Sequence, residues 1–171
     1  MKKWEESEFY IENRNRPSED GSFEEVRKRC LRLLEFKPRT VYQLQKRLSD
    51  DGYDKAQIED AISYAKKFGY VDDSNYAMEY VRTRCNKDSQ RQLYLKLSTQ
   101  GVDTQLIEKA LEEYADEQEK TVYHLAEKKI RQKSPTTEEE LIKVIRYLVT
   151  KGFPYELSKR AAWECWEKNN I

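Results

Sequence analysis

The sequence predicts an all-α protein built of three tandem three-helix repeats, helix-turn-helix-like units that form an elongated, curved array. Two segments share the pattern Leu-x3-Leu-x3-Gly, one at residues 44–52 and one at 93–101, and a looser third copy surrounds Gly152. The repeat period is about 50 residues, longer than in the ankyrin and tetratricopeptide classes. No segment shows the sustained apolar–polar alternation that is typical of half-buried strands.

The composition favours thin helical layers over one thick core. Apolar residues make up 37% of the chain and charged residues also 37%, whereas compact domains usually contain about 45–50% and about 25%. The chain has 12 Tyr, 5 Phe and 3 Trp, too many aromatic residues for a wholly disordered protein. Because each three-helix unit is small, we expect contacts between neighbouring units to contribute to stability.

Charge of each sign is concentrated in separate segments, although the formal net charge is zero. Residues 27–47 are strongly basic, residues 103–119 strongly acidic, and residues 120–133 basic again. Such blocks can form charged surfaces that the neutral total conceals, or they can be ordinary solvated helix faces. The neutral total argues against strong, independent, non-specific binding to DNA.

The chain is predicted to be a soluble cytoplasmic protein. No apolar run approaches the roughly 18 residues that a membrane span needs, and the first residues lack the apolar segment of a signal peptide. The cysteines Cys30, Cys85 and Cys165 follow no metal-binding or disulfide pattern. We expect them to be buried or half-buried free thiols in a reducing compartment.

The predicted organisation begins with an N-terminal arm and linker at residues 1–22, where Pro, Gly, Ser and charged residues occur without periodicity. The first repeat is placed at residues 23–71, the second at 72–117 and the third at 118–171. These boundaries follow the helix stops and starts that are read below.

In the first repeat, Pro38 should end the first helix, because the residue before a proline is driven out of the helical region. Thr40 with Gln43, and Asp54 with Gln57, have the spacing of capping boxes that start the second and third helices. Apolar residues at helical spacing should face inwards. They are Phe23, Val26, Cys30, Leu33, Leu34, Val41, Leu44, Leu48, Ile58, Ala61, Ile62 and Ala65.

The second repeat opens after Gly69, which should end the preceding helix. Tyr70 and Val71 are predicted to fill the joint between repeats, and Asp72 or Asp73 should cap the next helix. A metal-binding role for the two carboxylates is disfavoured, because no third ligand is near in sequence. The inward positions of this repeat are Tyr76, Ala77, Tyr80, Val81, Leu93, Leu97, Ile107, Ala110, Leu111 and Tyr114.

The third repeat should open with a helix over about residues 118–133 that Pro135 ends. Thr137 and Glu140 have capping-box spacing, and Pro154 should begin the last helix. Its inward positions are Val122, Leu125, Ala126, Ile130, Leu141, Val144, Ile145, Leu148, Ala161, Ala162, Cys165 and Trp166.

The sequence contains no pattern of catalytic residues, so we do not expect an enzyme or a cofactor. The glycines form no phosphate-binding loop. His124, the only histidine, lies in a helical segment one turn before Glu127. A single helical histidine is far more often a solvated or hydrogen-bonded side chain than a general base or a metal ligand.

Residues 62–84 carry the most distinctive motif, Leu-x6-Gly-Tyr-Val-Asp-Asp-x2-Tyr-Ala-x2-Tyr-x3-Arg, with Ile62 at the Leu position. The other matching residues are Ala61, Gly69, Tyr70, Asp72, Asp73, Tyr76, Ala77, Tyr80 and Arg84. With the Arg39-Thr40-x3-Leu44 segment, the motif resembles the RecX family of recombination regulators over roughly residues 24–168. The chain departs from the family pattern in two places, a Lys87-Asp88-Ser89 turn that lacks Gly and Lys96 where an acidic residue is usual.

The resemblance implies a non-catalytic bacterial protein that binds the RecA recombinase in the groove of its filament on single-stranded DNA. Such proteins modulate, and usually inhibit, ATP hydrolysis, strand exchange and co-protease activity in homologous recombination, DNA repair and the SOS response. Some also bind DNA directly. We expect this chain to act as a monomer, with at most weak direct contact to DNA.

Two other functions remain open from the sequence. A three-helix unit with a basic helix could be a DNA-binding module that acts without RecA, and the charge blocks would equally suit a protein-interaction scaffold. In every case basic side chains are the candidate contacts. They are Arg27, Arg39, Lys46 and Arg47 in the first repeat, Arg82, Arg84, Lys87 and Arg91 in the second, and Lys128, Lys129, Arg131 and Lys133 in the third.

Overall fold

The computed structural model describes residues 22–169, and this part of the chain contains nine α-helices and no β-strand. The predicted all-α class of tandem three-helix units is confirmed. The helices are α1 Phe23–Phe36, α2 Val41–Asp50, α3 Lys55–Lys67, α4 Asp73–Arg84, α5 Gln90–Thr99, α6 Thr104–Glu113, α7 Ala115–Lys133, α8 Glu138–Thr150 and α9 Tyr155–Asn169. The predicted N-terminal arm lies outside the described residues except for Ser22, which caps α1 by accepting a hydrogen bond from the Glu25 N–H.

Capping side chains start the helices largely where the sequence predicts. The boxes of Thr40 with Gln43 and of Asp54 with Gln57 form both reciprocal hydrogen bonds. The third predicted box is only half correct. Thr137 accepts the Glu140 N–H, but the Glu140 carboxylate accepts the N–H of Thr136, at 2.9 Å, because Thr136 also offers its hydroxyl.

Four glycines in the left-handed conformation end helices, with φ between 70° and 93°, and Gly69 does so as predicted. In each turn the N–H of the following residue reaches back to the carbonyl five residues earlier, which satisfies an otherwise free helix-end acceptor. The following side chain is buried for Tyr53, Val102 and Phe153 but 55% exposed for Tyr70. The prediction that Tyr70 fills a joint is therefore wrong, and Val71 is the buried residue there.

The two adjacent aspartates have different partners. Asp72 is the cap of α4, since its Oδ1 accepts the N–H groups of Ser74 at 2.8 Å and Asn75 at 3.1 Å. The Asp73 carboxylate instead accepts the N–H of Val41, the first residue of α2, at 2.9 Å. The sequence predicted that one of these two aspartates caps the helix, and the structure shows that it is Asp72.

The chain divides into two compact units between Tyr76 and Ala77. In the first unit α1 and α2 both pack on α3, and also on each other. Phe23 was expected inside but is half exposed, because it is the first residue of α1 and the buried stripe begins one turn later at Val26. The buried core consists of Val26, Cys30, Leu33, Leu44, Leu48, Tyr53, Ile58, Ala61, Ile62, Ala65 and Val71.

In the second unit α5 packs on α6, while α7, α8 and α9 pack on one another. Helix α7 begins three residues earlier than predicted, because no helix-breaking residue lies between Glu113 and residue 118. Asp116 and Glu117 occupy its first turn, where carboxylates are favourable. The larger core of this unit consists of Val122, Ala126, Ile130, Leu141, Val144, Ile145, Leu148, Phe153, Ala161, Ala162 and Cys165.

All three thiols are free; Cys30 and Cys165 are buried and Cys85 is half-buried, as the sequence predicts. Burial raises the pKa of the Cys30 thiol to about 11. Within residues 22–169, none of the helices is long and apolar enough to traverse a lipid bilayer.

Candidate functional site

The twelve basic candidates differ in whether an intramolecular partner already engages their charge. In the first unit, Arg27 donates from Nε and a terminal nitrogen to both oxygens of Asp60, at 2.6 and 2.7 Å. Its guanidinium also lies over the Tyr64 ring, 5.1 Å from the centroid. The Arg27 hydrogen bonds lower the pKa of the Asp60 carboxyl. Arg27 therefore joins α1 to α3 and has little capacity left for another anion.

A second arginine cluster surrounds Asp51, whose side chain is only 5% exposed. Arg29 donates to this carboxylate at 2.8 Å, and Arg47 contacts it at 3.1 Å. Arg39 donates to the Leu33 carbonyl at 3.2 Å, near the end of α1. Lys46 alone of the four first-repeat candidates is exposed without a partner among the described residues.

In the second repeat, the prediction that Arg82 and Arg84 face outwards is confirmed. Arg82 is nevertheless engaged, because it donates to both oxygens of Glu79. Arg84 lies 5.0 Å from the Tyr80 ring centroid and only loosely, at 3.9 Å, from Asp88. Lys87 and Arg91 are exposed, with no partner in the described part of the chain.

The Lys87-Asp88-Ser89 turn and Lys96, both noted in the sequence, contact each other in this repeat. The Lys96 ammonium pairs with the Asp88 carboxylate at 2.7 Å. The lysine and the acidic turn therefore compensate one another.

In the third repeat, Lys129 lies over the Tyr147 ring, 4.6 Å from its centroid, and Arg131 pairs with Glu127 at 2.7 Å. Lys128 and Lys133 are exposed and have no partner within residues 22–169. Five of the twelve candidates therefore have no partner among the residues that the structure describes: Lys46, Lys87, Arg91, Lys128 and Lys133.

Two of these unpaired cations, Lys87 and Lys128, line one surface groove in the second unit, with a volume of about 500 Å³. We call it the α7 groove, and it is lined by Asn86, Lys87, Glu117, Lys120, Thr121, His124, Leu125 and Lys128. Thr121 is buried and donates from its hydroxyl to the Cys85 carbonyl at 2.7 Å. This bond holds the turn that carries Lys87 against α7, so it brings together cations that are 41 residues apart in sequence.

The α7 groove has a surplus of positive charge. Its only carboxylate is Glu117, which pairs with Lys120 at 2.6 Å and raises the pKa of that ammonium. No carboxylate in the described part of the chain compensates the charges of Lys87 and Lys128. The groove is open and two exposed ammonium groups line it, so it is suited to hold an anionic group such as a phosphate or a carboxylate on a larger partner.

The sequence did not single out Lys120 or assign His124 to a binding surface. The signal was present, since residues 120, 124 and 128 are spaced four apart and share one helix face. A further depression along the same helix is lined by His124, Glu127, Arg131 and Lys168, among others. Within residues 22–169 no group of three or more His, Cys, Asp or Glu side chains is placed to hold a metal ion.

Comparison with known families finds three matching domain models in succession. The first three-helix domain of RecX matches residues 27–64, the second matches residues 72–111, and the third matches residues 116–162. The matches follow the chain order of that family and together span most of the sequence.

Individual relatives agree with the domain matches. The regulatory protein RecX of Caldanaerobacter subterraneus subsp. tengcongensis is 34% identical over 139 residues, covering 80% of this chain and 68% of the relative. That of Clostridium beijerinckii is 26% identical over 158 residues, covering 90% of this chain and 74% of the relative. The crystal structure of RecX from Lactobacillus salivarius superposes with a TM-score of 0.76 at 26% identity, covering 84% of this chain and 96% of that one.

Proposed function

This chain belongs to the RecX family of regulatory proteins, and we propose from that premise that it binds the RecA recombinase and modulates it without catalysing a reaction. The partner form is the RecA filament on single-stranded DNA in the bacterial cytoplasm. The effect is inhibition of ATP hydrolysis, strand exchange and co-protease activity. The chain acts as a monomer of three repeats, at residues 23–71, 72–117 and 118–171.

The α7 groove is the observation that supports a contact surface for this role. Lys87 and Lys128 are exposed and carry charges that no described carboxylate neutralises. A filament on single-stranded DNA offers phosphates, and electrostatic attraction to phosphates contributes much of the affinity of most nucleic-acid-binding proteins. Arg27, Arg47 and Arg82 are weaker candidates, because each already pairs with a carboxylate.

The test is a titration of RecA's DNA-dependent ATPase and strand exchange with wild-type protein and with the double variant K87E/K128E. We expect wild type to inhibit both activities. The variant should need at least about tenfold more protein for the same effect, because two attractive contacts become repulsive. The matched control is K109E, which reverses an exposed, unpaired lysine on α6 and should behave as wild type.

Two outcomes separate the parts of this proposal. If wild type leaves ATP hydrolysis and strand exchange unchanged at saturating amounts, regulation of RecA is wrong. If wild type inhibits and K87E/K128E inhibits equally well, the regulation stands and the α7 groove is not the contact. Far-UV circular dichroism of the variant should match wild type, since both side chains are exposed.

The second candidate function is a DNA-binding module that acts without RecA. The unpaired lysines of the α7 groove favour it, because they could engage a DNA backbone directly. Tight binding to duplex DNA in the absence of RecA, with a steep dependence on salt, would support this alternative over filament regulation.

A further inference from the structure

Three aromatic rings form a row at the exposed end of α3 in the first unit. The Tyr64 and Phe68 centroids are 4.7 Å apart, and the Phe68 and Tyr70 centroids are 6.3 Å apart. Phe68 is 54% exposed and Tyr70 55% exposed. We call Tyr64, Phe68 and Tyr70 the aromatic row. Within this row, Phe68 and Tyr70 are the two rings that are largely exposed to water.

The turn geometry does not require this exposure. Gly69 ends α3 with the same hydrogen-bond pattern as the glycines at 52, 101 and 152, and in those three turns the next side chain is buried. After Gly69 the buried side chain is that of Val71, and the Tyr70 side chain is exposed. A Cβ atom built on Gly69 would meet nothing within 4 Å, so the surface at Gly69 itself is open.

Cations accompany the rings. The Lys67 ammonium lies 5.8 Å from the Phe68 centroid, and the Arg27 guanidinium lies over Tyr64. Lys66 and Lys67 are exposed and form no salt bridge among the described residues. The surface therefore combines aromatic rings with exposed positive charge.

The nearby carboxylates are already engaged. Asp60 is held by Arg27. Asp72 accepts two main-chain N–H groups at the start of α4, and Asp73 accepts the N–H of Val41. The bonds of Asp72 and Asp73 direct their carboxylate oxygens to backbone donors, and Asp60 is paired with an arginine. Both arrangements reduce the repulsion of an approaching anion by these carboxylates.

This combination fits a particular ligand chemistry. The consecutive exposed residues 66–70 are Lys, Lys, Phe, Gly and Tyr, with no aliphatic side chain among them. Aromatic faces beside cations are the means by which proteins hold unpaired bases, since every base has a π face and the backbone carries phosphates. A helix-binding protein groove would instead need a continuous aliphatic surface.

We propose that the aromatic row, with Lys66 and Lys67, is a stacking platform for unpaired nucleobases, and that the first unit binds single-stranded nucleic acid directly. The bases of a duplex are stacked on each other and cannot lie on Phe68 or Tyr70, so the platform selects single strands. This inference adds to the proposed function a site in the first unit that shares no residue with the α7 groove, and it can hold or fail without a recombinase.

The test measures binding of full-length protein to fluorescent oligonucleotides by anisotropy, with no RecA present. Three probes of about 20 nucleotides are compared: oligo-dT, the duplex of equal length, and a strand in which abasic sites replace most bases. We expect oligo-dT to bind more tightly than either of the others. The abasic strand keeps the phosphates, so its loss of affinity reports stacking and not charge.

The variant F68A/Y70A should lower the affinity for oligo-dT by about tenfold or more and leave the weak affinity for the abasic strand unchanged. F68W/Y70W should retain binding, since it preserves the aromatic faces. The matched control F36A removes a ring that is 87% exposed at the end of α1, and it should bind as wild type.

Three results would overturn the inference: no detectable oligo-dT binding by wild type, equal affinity for oligo-dT and the abasic strand, or unchanged binding by F68A/Y70A. If F68A/Y70A binds oligo-dT normally but loses association with the RecA filament, the aromatic row contacts protein and the stacking proposal is wrong. Inhibition of RecA by wild type, measured separately, is independent of each of these results.

Discussion

Asp72 and Asp73 are identical neighbours in sequence with different environments. Asp72 is exposed and caps the helix to which it leads. Asp73 is partly buried and serves a different helix, through the Val41 N–H at the start of α2. Desolvation raises the pKa of Asp73; its hydrogen bond from Val41 and the nearby Lys66 ammonium oppose the shift without cancelling it.

Substitutions at Asp73 should separate its hydrogen bond from its charge. D73A removes the acceptor for the Val41 N–H and should destabilise the protein by about 1 kcal/mol. D73N keeps an oxygen acceptor and removes the desolvated charge, so it should be at least as stable as wild type at neutral pH. Urea unfolding measures both, and equal destabilisation by the two variants would contradict the assigned hydrogen bond.

The pH dependence follows from the direction of the same pKa shift. Because the pKa of Asp73 is higher in the folded than in the unfolded chain, the folded state binds the proton more tightly. As pH falls through the folded-state pKa towards the usual value near 4, wild type should gain stability relative to D73N. A stability difference between the two proteins that is constant from neutral to acidic pH would rule out the shift.

The turn between α8 and α9 shows how one element restricts another. Ser89, at the start of α5, is buried and donates from its hydroxyl to the Lys151 carbonyl at 2.8 Å. Gly152 follows with φ of 93°, and a Cβ atom there would lie 2.7 Å from the Ser89 Oγ. Glycine is therefore required at this position both for its conformation and for the close approach of α5.

Alanine substitutions at Gly69 and Gly152 should separate the cost of the backbone conformation from the cost of the clash with Ser89. G69A imposes a left-handed alanine in open space and should cost about 1 kcal/mol. G152A adds the clash with Ser89 and should cost about 2–4 kcal/mol. Urea unfolding of both variants measures the difference, and equal costs would mean that Ser89 moves aside freely.

Across the whole molecule, a net charge of zero coexists with locally uncompensated cations. Arg27, Arg47 and Arg82 pair with carboxylates of their own chain, whereas Lys87 and Lys128 pair with none among residues 22–169. A neutral chain can therefore still present a small basic surface. Binding through such a surface should be weak in isolation and sensitive to salt.

The salt dependence of filament regulation gives a quantitative test. Two phosphate contacts on a single strand correspond to a slope of about −1.4 in log affinity against log salt. Between about 50 and about 200 mM salt, the affinity attributed to Lys87 and Lys128 should therefore fall about sevenfold. The slope for K87E/K128E should be flatter by about 1.4. An unchanged slope would mean that neither lysine contacts phosphate.

Helix starts, helix stops and core stripes were readable from the sequence because their causes are local. Thr40 with Gln43 and Asp54 with Gln57 act within one turn, and the positive φ of a helix-ending glycine is a property of that one residue. Two wrong predictions also have local causes, the position of Phe23 at the start of α1 and the diversion of Glu140 by the neighbouring Thr136. Tyr70 was predicted to fill the joint between repeats because it and Val71 are apolar, but its side chain is exposed.

The amino-acid order alone determined the helical class, the repeat pattern, the family and the free thiols, since these depend on residue type and short-range spacing. Only the tertiary structure decided which charges remain available. Arg27 is neutralised by a carboxylate 33 residues away. Lys87 lines the same groove as Lys128, where the Thr121 hydroxyl holds the turn after Cys85 against α7. Ion pairing depends on distances of a few ångströms between remote segments, and no spacing along the chain specifies those distances.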